Sequence, residues 1–153
     1  MWADTLFALE RGHLLRLAIW GGTSAVVGAV LLIALRFRAV RAPLVRHFAL
    51  QTAAWGAVDV ALVLWSQRTL SMRDFAGAQH LINMLWLNTG LDAGYVGIGA
   101  TLAIAAWRWG ARVAGDSGDN GRGGLGAGIG VLVQGTALLL LDLRLILLIG
   151  PMQ

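Results

Sequence analysis

Four stretches of this chain are apolar for long enough to cross a lipid bilayer, and shorter polar segments separate them. Residues 17–35 carry no charged side chain. At 1.5 Å per residue they would make a helix of about 28 Å, close to the ~30 Å hydrocarbon core of a membrane. Residues 47–65 have Asp59 as their one charge, residues 81–107 have Asp92, and residues 125–149 have Asp142 and Arg144. The pattern predicts an all-α integral membrane protein, a single domain over residues 1–153 with four transmembrane helices in a bundle. Ahead of the first span, Trp2, Leu6, Phe7, Leu9, Leu14 and Leu15 alternate with Asp4, Glu10 and Arg11 at a spacing that predicts a short N-terminal interfacial helix. The balanced charges of that segment do not suit a cleavable signal peptide.

The connections set the topology. Arg36, Arg38, Arg41 and Arg46 surround Pro43 after the first span, and Arg108 and Arg112 follow the third. Gly115 to Gly124 (GDSGDNGRGG), which contains Arg122, reads as a flexible Gly-rich inner loop over 115–124. Outer flanks hold Arg11, Arg16, Arg68 and Arg73. The larger arginine share on the first side predicts that side to be cytoplasmic, which places both termini outside. Ser71 to Asp74 reads as a capping box, with Asp in place of Glu, that starts the third helix. Gly21, Gly22, Ser24, Ala25 and Gly28 give the first span a small-residue face, and Gly90 and Gly94 form a GxxxG pair in the third. Trp86 near one end of that span, and Trp107 and Trp109 at the other, suit the membrane interfaces.

Composition strengthens the membrane reading and removes several chemistries. Hydrophobic residues make up 58% and charged residues 13%, and the mean hydropathy is +0.71. The net charge of +4 rests on 12 basic residues, all arginine. They bracket apolar segments instead of gathering on one face, so no nucleic-acid partner is expected. Without cysteine there is no disulfide and no thiolate chemistry.

The polar residues inside the spans carry the functional question. His47, Gln51, Trp55 and Asp59 recur every four residues, and His80, Asn88, Asp92, Tyr95 and Gly99 fall near one face of the third helix. Gln51 with Asp59 and Gln134 with Asp142 share a Gln-x7-Asp spacing, as a duplicated hairpin would. Counted from the outer ends, Asp59, Asn88, Asp92 and Asp142 lie about 9 to 16 Å deep. They therefore share one half of the bilayer. The predicted intramembrane cluster is Asp59, Asn88, Asp92, Tyr95, Gln134, Asp142 and Arg144. An Asp near mid-membrane costs about 2.5 to 3.5 kcal/mol, so three must face inward and be paired, hydrated or protonated. Arg144 is expected to neutralise one, and at least one of the others is expected to keep its proton. Interhelical hydrogen bonding is the plainer role for the same residues.

Other motifs add little. Gly121-x-Gly123-x-x-Gly126 matches a dinucleotide pattern by letter, but no strand precedes it, and it reads as a loop entering a helix. His13, His47 and His80 stand near span ends without partners at metal-ligand spacing, so no metal is expected. His47 and His80 are the candidates for a haem or chlorophyll-type pigment ligand, and the sequence specifies no cofactor. No Ser-His-Asp arrangement or phosphate loop is present, and an enzyme is not expected.

The stretches AAWGAVD (Ala53 to Asp59), LNTGLDAGY (Leu87 to Tyr95) and GVLVQGTALLLLDL (Gly130 to Leu143) resemble an uncharacterised family of small four-helix bacterial membrane proteins, a domain of unknown function. The likeness covers spans two to four and puts Trp55, Asp59, Asn88, Asp92, Tyr95, Gln134 and Asp142 at matching positions. It implies a bacterial inner membrane and no particular reaction. Two functions are expected from these features. The first is a non-catalytic subunit packing against other membrane-protein subunits, in a respiratory or photosynthetic complex. The alternative is a small proton, cation or solute transporter using the Asp cluster.

Overall fold

The computed structural model describes residues 2–113 and 119–150. They form α1 (Trp2–Phe37), α2 (Pro43–Thr69), α3 (Phe75–Val113) and α4 (Asp119–Ile149), an all-α four-helix bundle. All four helices are long and apolar enough to span a membrane. Their outward faces carry large apolar side chains such as Ile19, Val30, Leu62, Leu91, Leu140 and Leu147. Such a surface suits lipid and not water. Consecutive helices run antiparallel, α1 packs on α2, α2 on α4 and α4 on α3, and α1 also meets α4. Helix α4 thus touches the other three.

Glycines set how closely the helices approach. A Cβ on Gly28 would stand 2.5 Å from the Ala53 amide nitrogen, so α1 and α2 meet backbone to backbone there. At Gly99 a Cβ would stand 2.5 Å from the Leu132 nitrogen, closing α3 on α4 in the same way. Small residues at such crossings let dispersion act along the whole seam, the main attraction between helices in lipid. Gly21, Ser24 and Gly28 do form an interhelical face as expected, while Gly22 points into open space.

Four expectations are corrected. The N-terminal segment does not lie in the interface as a separate helix. It continues without a break into the first span, because no Pro or Gly-rich turn interrupts residues 2–37 and its apolar side has a partner. Leu6 is packed against Ala78, Leu85, Leu145 and Ile149, at the end of the bundle where α3 starts and α4 stops. The Gly-rich loop is also shorter than expected. Residues 114–118 lie outside the described residues, but 119–124 already belong to α4. The GxGxxG match is helical for the same reason: Gly121 abuts Gly110, Gly123 abuts His47 and Gly126 abuts Leu44, so packing overrides poor helix propensity. The cap of α3 is Asp74 and not Ser71, since Asp74 Oδ1 accepts the Gly77 N–H at 2.8 Å. The GxxxG pair of α3 faces outward, with nothing within 4 Å of a Cβ built on Gly90 or Gly94.

The α1/α2 turn is tight. Ala39 takes a positive φ of 48° just past the end of α1, and Pro43 opens α2 at a position that needs no backbone donor.

Candidate functional site

Asp59 on α2, Asp92 on α3, and Gln134 and Asp142 on α4 all turn into the bundle. Asp59 is 1% exposed, Gln134 2%, Asp92 5% and Asp142 8%. Helical spacing accounts for the convergence. Asp59 follows Thr52 and Gly56 on the buried side of α2, and Asp92 follows Leu85 and Thr89 on that of α3. Gln134 and Asp142 fall eight residues apart on α4, close to two full turns. The three carboxyls thus lie on the buried sides of α2, α3 and α4.

Tyr95, half-buried one turn beyond Asp92, meets Trp55 edge to face, with ring centroids 4.9 Å apart and planes inclined at 62°. That contact joins α2 to α3 beside the carboxyls.

Two of the expected members are elsewhere. Asn88 is exposed, because it sits at the edge of α3's buried face, off the line through Leu85, Thr89 and Asp92. Arg144 is exposed as well, on the lipid side of α4; two residues from Asp142, it is turned about 200° around the helix axis. Arg144, expected to neutralise one of the carboxylates, therefore does not face them. His47 and His80, the candidate pigment ligands, are both exposed. His47 stands beside Gly123, where an added Cβ would lie 3.0 Å from its ring.

In place of Arg144, α1 supplies a residue that the sequence reading left at the surface. His13 Nε2 lies 3.3 Å from Asp142 Oδ1, with both side chains 11% exposed. Ser24, about three turns further along α1, donates from Oγ to Gln134 Oε1 at 3.5 Å. One turn before His13, Glu10 accepts two hydrogen bonds from Arg73 in the α2/α3 connection, at 2.6 and 2.9 Å. The signal for these residues was present as Leu6, Glu10, His13 and Leu14, a single helical face. It becomes legible once α1 is read as one upright helix, which brings His13 to the depth of Asp142.

Several polar atoms at the centre have no protein partner. Asp59 Oδ2, Asp92 Oδ2 and Gln134 Nε2 are buried and make no hydrogen bond to the chain. Buried polar groups are ordinarily satisfied, and an unsatisfied carboxylate in low dielectric is among the costliest arrangements a fold can hold. Among the described residues no three His, Asp or Glu side chains are spaced to hold a metal ion. The arrangement is chemically suited to taking up a proton, since each carboxyl becomes neutral by doing so and gains a donor for a neighbour.

The chain belongs to a family of unknown function, DUF6992, whose profile matches residues 16–143. The match takes in the first span as well as the three that carry the resembling motifs. No curated protein and no solved structure matches the chain.

Proposed function

We propose that this member of the family is a small membrane transporter of protons, with Asp59, Asp92 and Asp142 as the carrying groups and His13 as the base that exchanges a proton with Asp142. The observation that supports it is the trio of buried carboxyls in which Asp59 and Asp92 each keep an oxygen free of any protein partner. A purely structural polar contact would ordinarily have both sides satisfied. Protons suit the group better than a divalent cation, which would need ligands gathered around one point. In this reading the chain sits in a bacterial inner membrane with both termini outside, supported by the arginine bias of the connections.

Reconstitution into liposomes loaded with a pH-sensitive dye, with a potassium gradient and valinomycin as the driving force, tests the proposal. Proton uptake above that of empty liposomes, lost in Asp92→Asn, is the expected result. Equal leak from wild type, Asp92→Asn and empty liposomes would overturn it.

A second reading, a non-catalytic subunit of a larger membrane assembly, is favoured by a different observation. Gly90, Gly94 and Gly97 share the outward face of α3, and a Cβ on any of them would meet nothing within 4 Å. A smooth face of that kind admits another helix at close range. Purification in mild detergent followed by mass spectrometry decides this point, and a chain that elutes alone would sink the subunit reading.

A further inference from the structure

On the lipid side of the α1/α4 interface runs a groove of about 470 Å³. Its walls are built with a repeating order. On α1 it is lined by Arg16, Ile19, Trp20 and Thr23, and on α4 by Arg144, Leu141, Leu140 and Ala137. Both sets follow the i, i+3, i+4, i+7 spacing of one helix face, counted forward on α1 and backward on α4. The two helices are antiparallel, as the pairings of Leu6 with Ile149, His13 with Asp142 and Ser24 with Gln134 show. The two arginines therefore stand at the same end of the groove and the apolar side chains run away from them together.

That end is the one nearer the start of α1. The Arg16 guanidinium folds back over Gly12, 3.3 Å from where a Cβ would stand, and so reaches toward the surface. Neither Arg16 nor Arg144 has a carboxylate partner among the described residues. Two guanidinium groups without a carboxylate partner, gathered at one end of an apolar channel on the lipid-facing side, are complementary to one kind of molecule. A phosphodiester accepts charge-assisted, bidentate hydrogen bonds from arginine, and its acyl chain fits the channel.

We infer that the groove is a binding site for an anionic glycerophospholipid, with its phosphate between Arg16 and Arg144 and one acyl chain along Ile19, Trp20, Leu140 and Ala137. A zwitterionic lipid would bring its own cation against the two arginines and binds less well. The site is separate from the buried carboxyls and stands whether or not they carry protons.

Native mass spectrometry of the full-length chain, released from detergent micelles doped equally with phosphatidylglycerol and phosphatidylcholine, tests the assignment. Wild type is expected to retain phosphatidylglycerol over phosphatidylcholine by a factor on the order of ten. The double variant Arg16→Gln/Arg144→Gln should bring that ratio close to one, and Arg11→Gln, on an exposed arginine outside the groove, should leave it unchanged. Ala137→Phe fills the groove with both arginines intact and should also abolish retention, whereas millimolar inorganic phosphate should not compete. Should the double variant lose its helical circular-dichroism signal, Arg144→Gln alone carries the comparison, because that side chain is exposed. Parity between the two lipids in wild type, a preference that survives the double variant, displacement by inorganic phosphate, or a second copy of the chain retained in place of lipid would each overturn the inference.

Discussion

The imidazole Nε2 of His13 stands 3.3 Å from Asp142 Oδ1 across the α1/α4 interface. An Arg–Asp pair at this place would be a fixed ion pair, since arginine does not release its proton in a protein. A His–Asp pair can exist as an ion pair or as a neutral hydrogen bond, and the proton can pass between the partners. The identity of the base beside Asp142 therefore decides whether the buried carboxyls are static or able to exchange protons.

If His13 is the working partner, its removal should be felt and that of Arg144 should not. Removing one side of a buried polar contact leaves the other without its partner, at a cost of about 1–3 kcal/mol. We expect His13→Ala to lower the stability of the detergent-solubilised chain by about 2 kcal/mol. Arg144→Ala, on an exposed side chain, should stay within about 0.5 kcal/mol of wild type. Parallel unfolding curves by circular dichroism check the contrast, and equal losses in both variants would remove the pairing from the account.

Asp59 separates transport from structure in a second way. Its side chain is almost wholly enclosed, and its Oδ2 has no partner in the chain. Asparagine matches it in volume and cannot carry a proton. Asp59→Asn should therefore leave the melting temperature unchanged or raise it, because a buried carboxyl without a cation is replaced by a neutral amide. Proton flux in liposomes should fall in the same variant. A large loss of stability with flux intact would identify Asp59 as interhelical glue.

The span count, the helical class and the inward turn of Asp59, Asp92, Gln134 and Asp142 were legible in the sequence because one physical rule controls them all. Charges leave lipid, and helical spacing says which others leave with them. What was not legible depended on rotation and on length. Arg144 is only two residues from Asp142, so depth alone placed them together, whereas the turn of the helix sends them to opposite sides. Asn88 was misplaced by a similar margin in angle. His13 was hidden by reading residues 1–16 as a helix lying flat, because a mixed apolar and charged segment looks the same whether its apolar side meets lipid or, as Leu6 does here, Ala78, Leu85 and Ile149. Gly90 and Gly94 show the limit of motif reading: the same GxxxG letters serve an inner seam or an outer face, and only the buried side of α3 distinguishes them.

The glycines supply a paired comparison that needs no assay of function. At Gly28 an added Cβ would press on the Ala53 backbone, and neither helix can yield without moving the other. Gly28→Ala should destabilise by about 1–3 kcal/mol, the range for overpacking a tight contact. Gly94→Ala meets open space, and the higher helix propensity of alanine should stabilise α3 by a fraction of about 1 kcal/mol. Thermal unfolding in one detergent would show the opposite signs. A neutral Gly28→Ala would mean that α1 and α2 are not in backbone contact.

The Glu10–Arg73 pair ties the α2/α3 connection to α1 through two hydrogen bonds of 2.6 and 2.9 Å. It lies at the same end of the bundle as the Leu6 cluster, so it fixes the segment of α1 that presents His13. The hydrogen bond to Glu10 holds the Arg73 proton more firmly than in an ordinary arginine. For a cation raised in this way, the stabilisation is complete below the ordinary arginine value and is lost only as pH climbs through the raised one. Raising the pH from about 7 to about 10 should thus leave this contribution intact. Arg73 keeps partial contact with solvent, so screening limits the pair to about 1 kcal/mol, and added salt should weaken it. Arg73→Gln should lower stability by that amount at low salt, and the difference from wild type should shrink in about 1 M sodium chloride. A difference indifferent to salt would show that Arg73 acts by packing its stem and not by its charge.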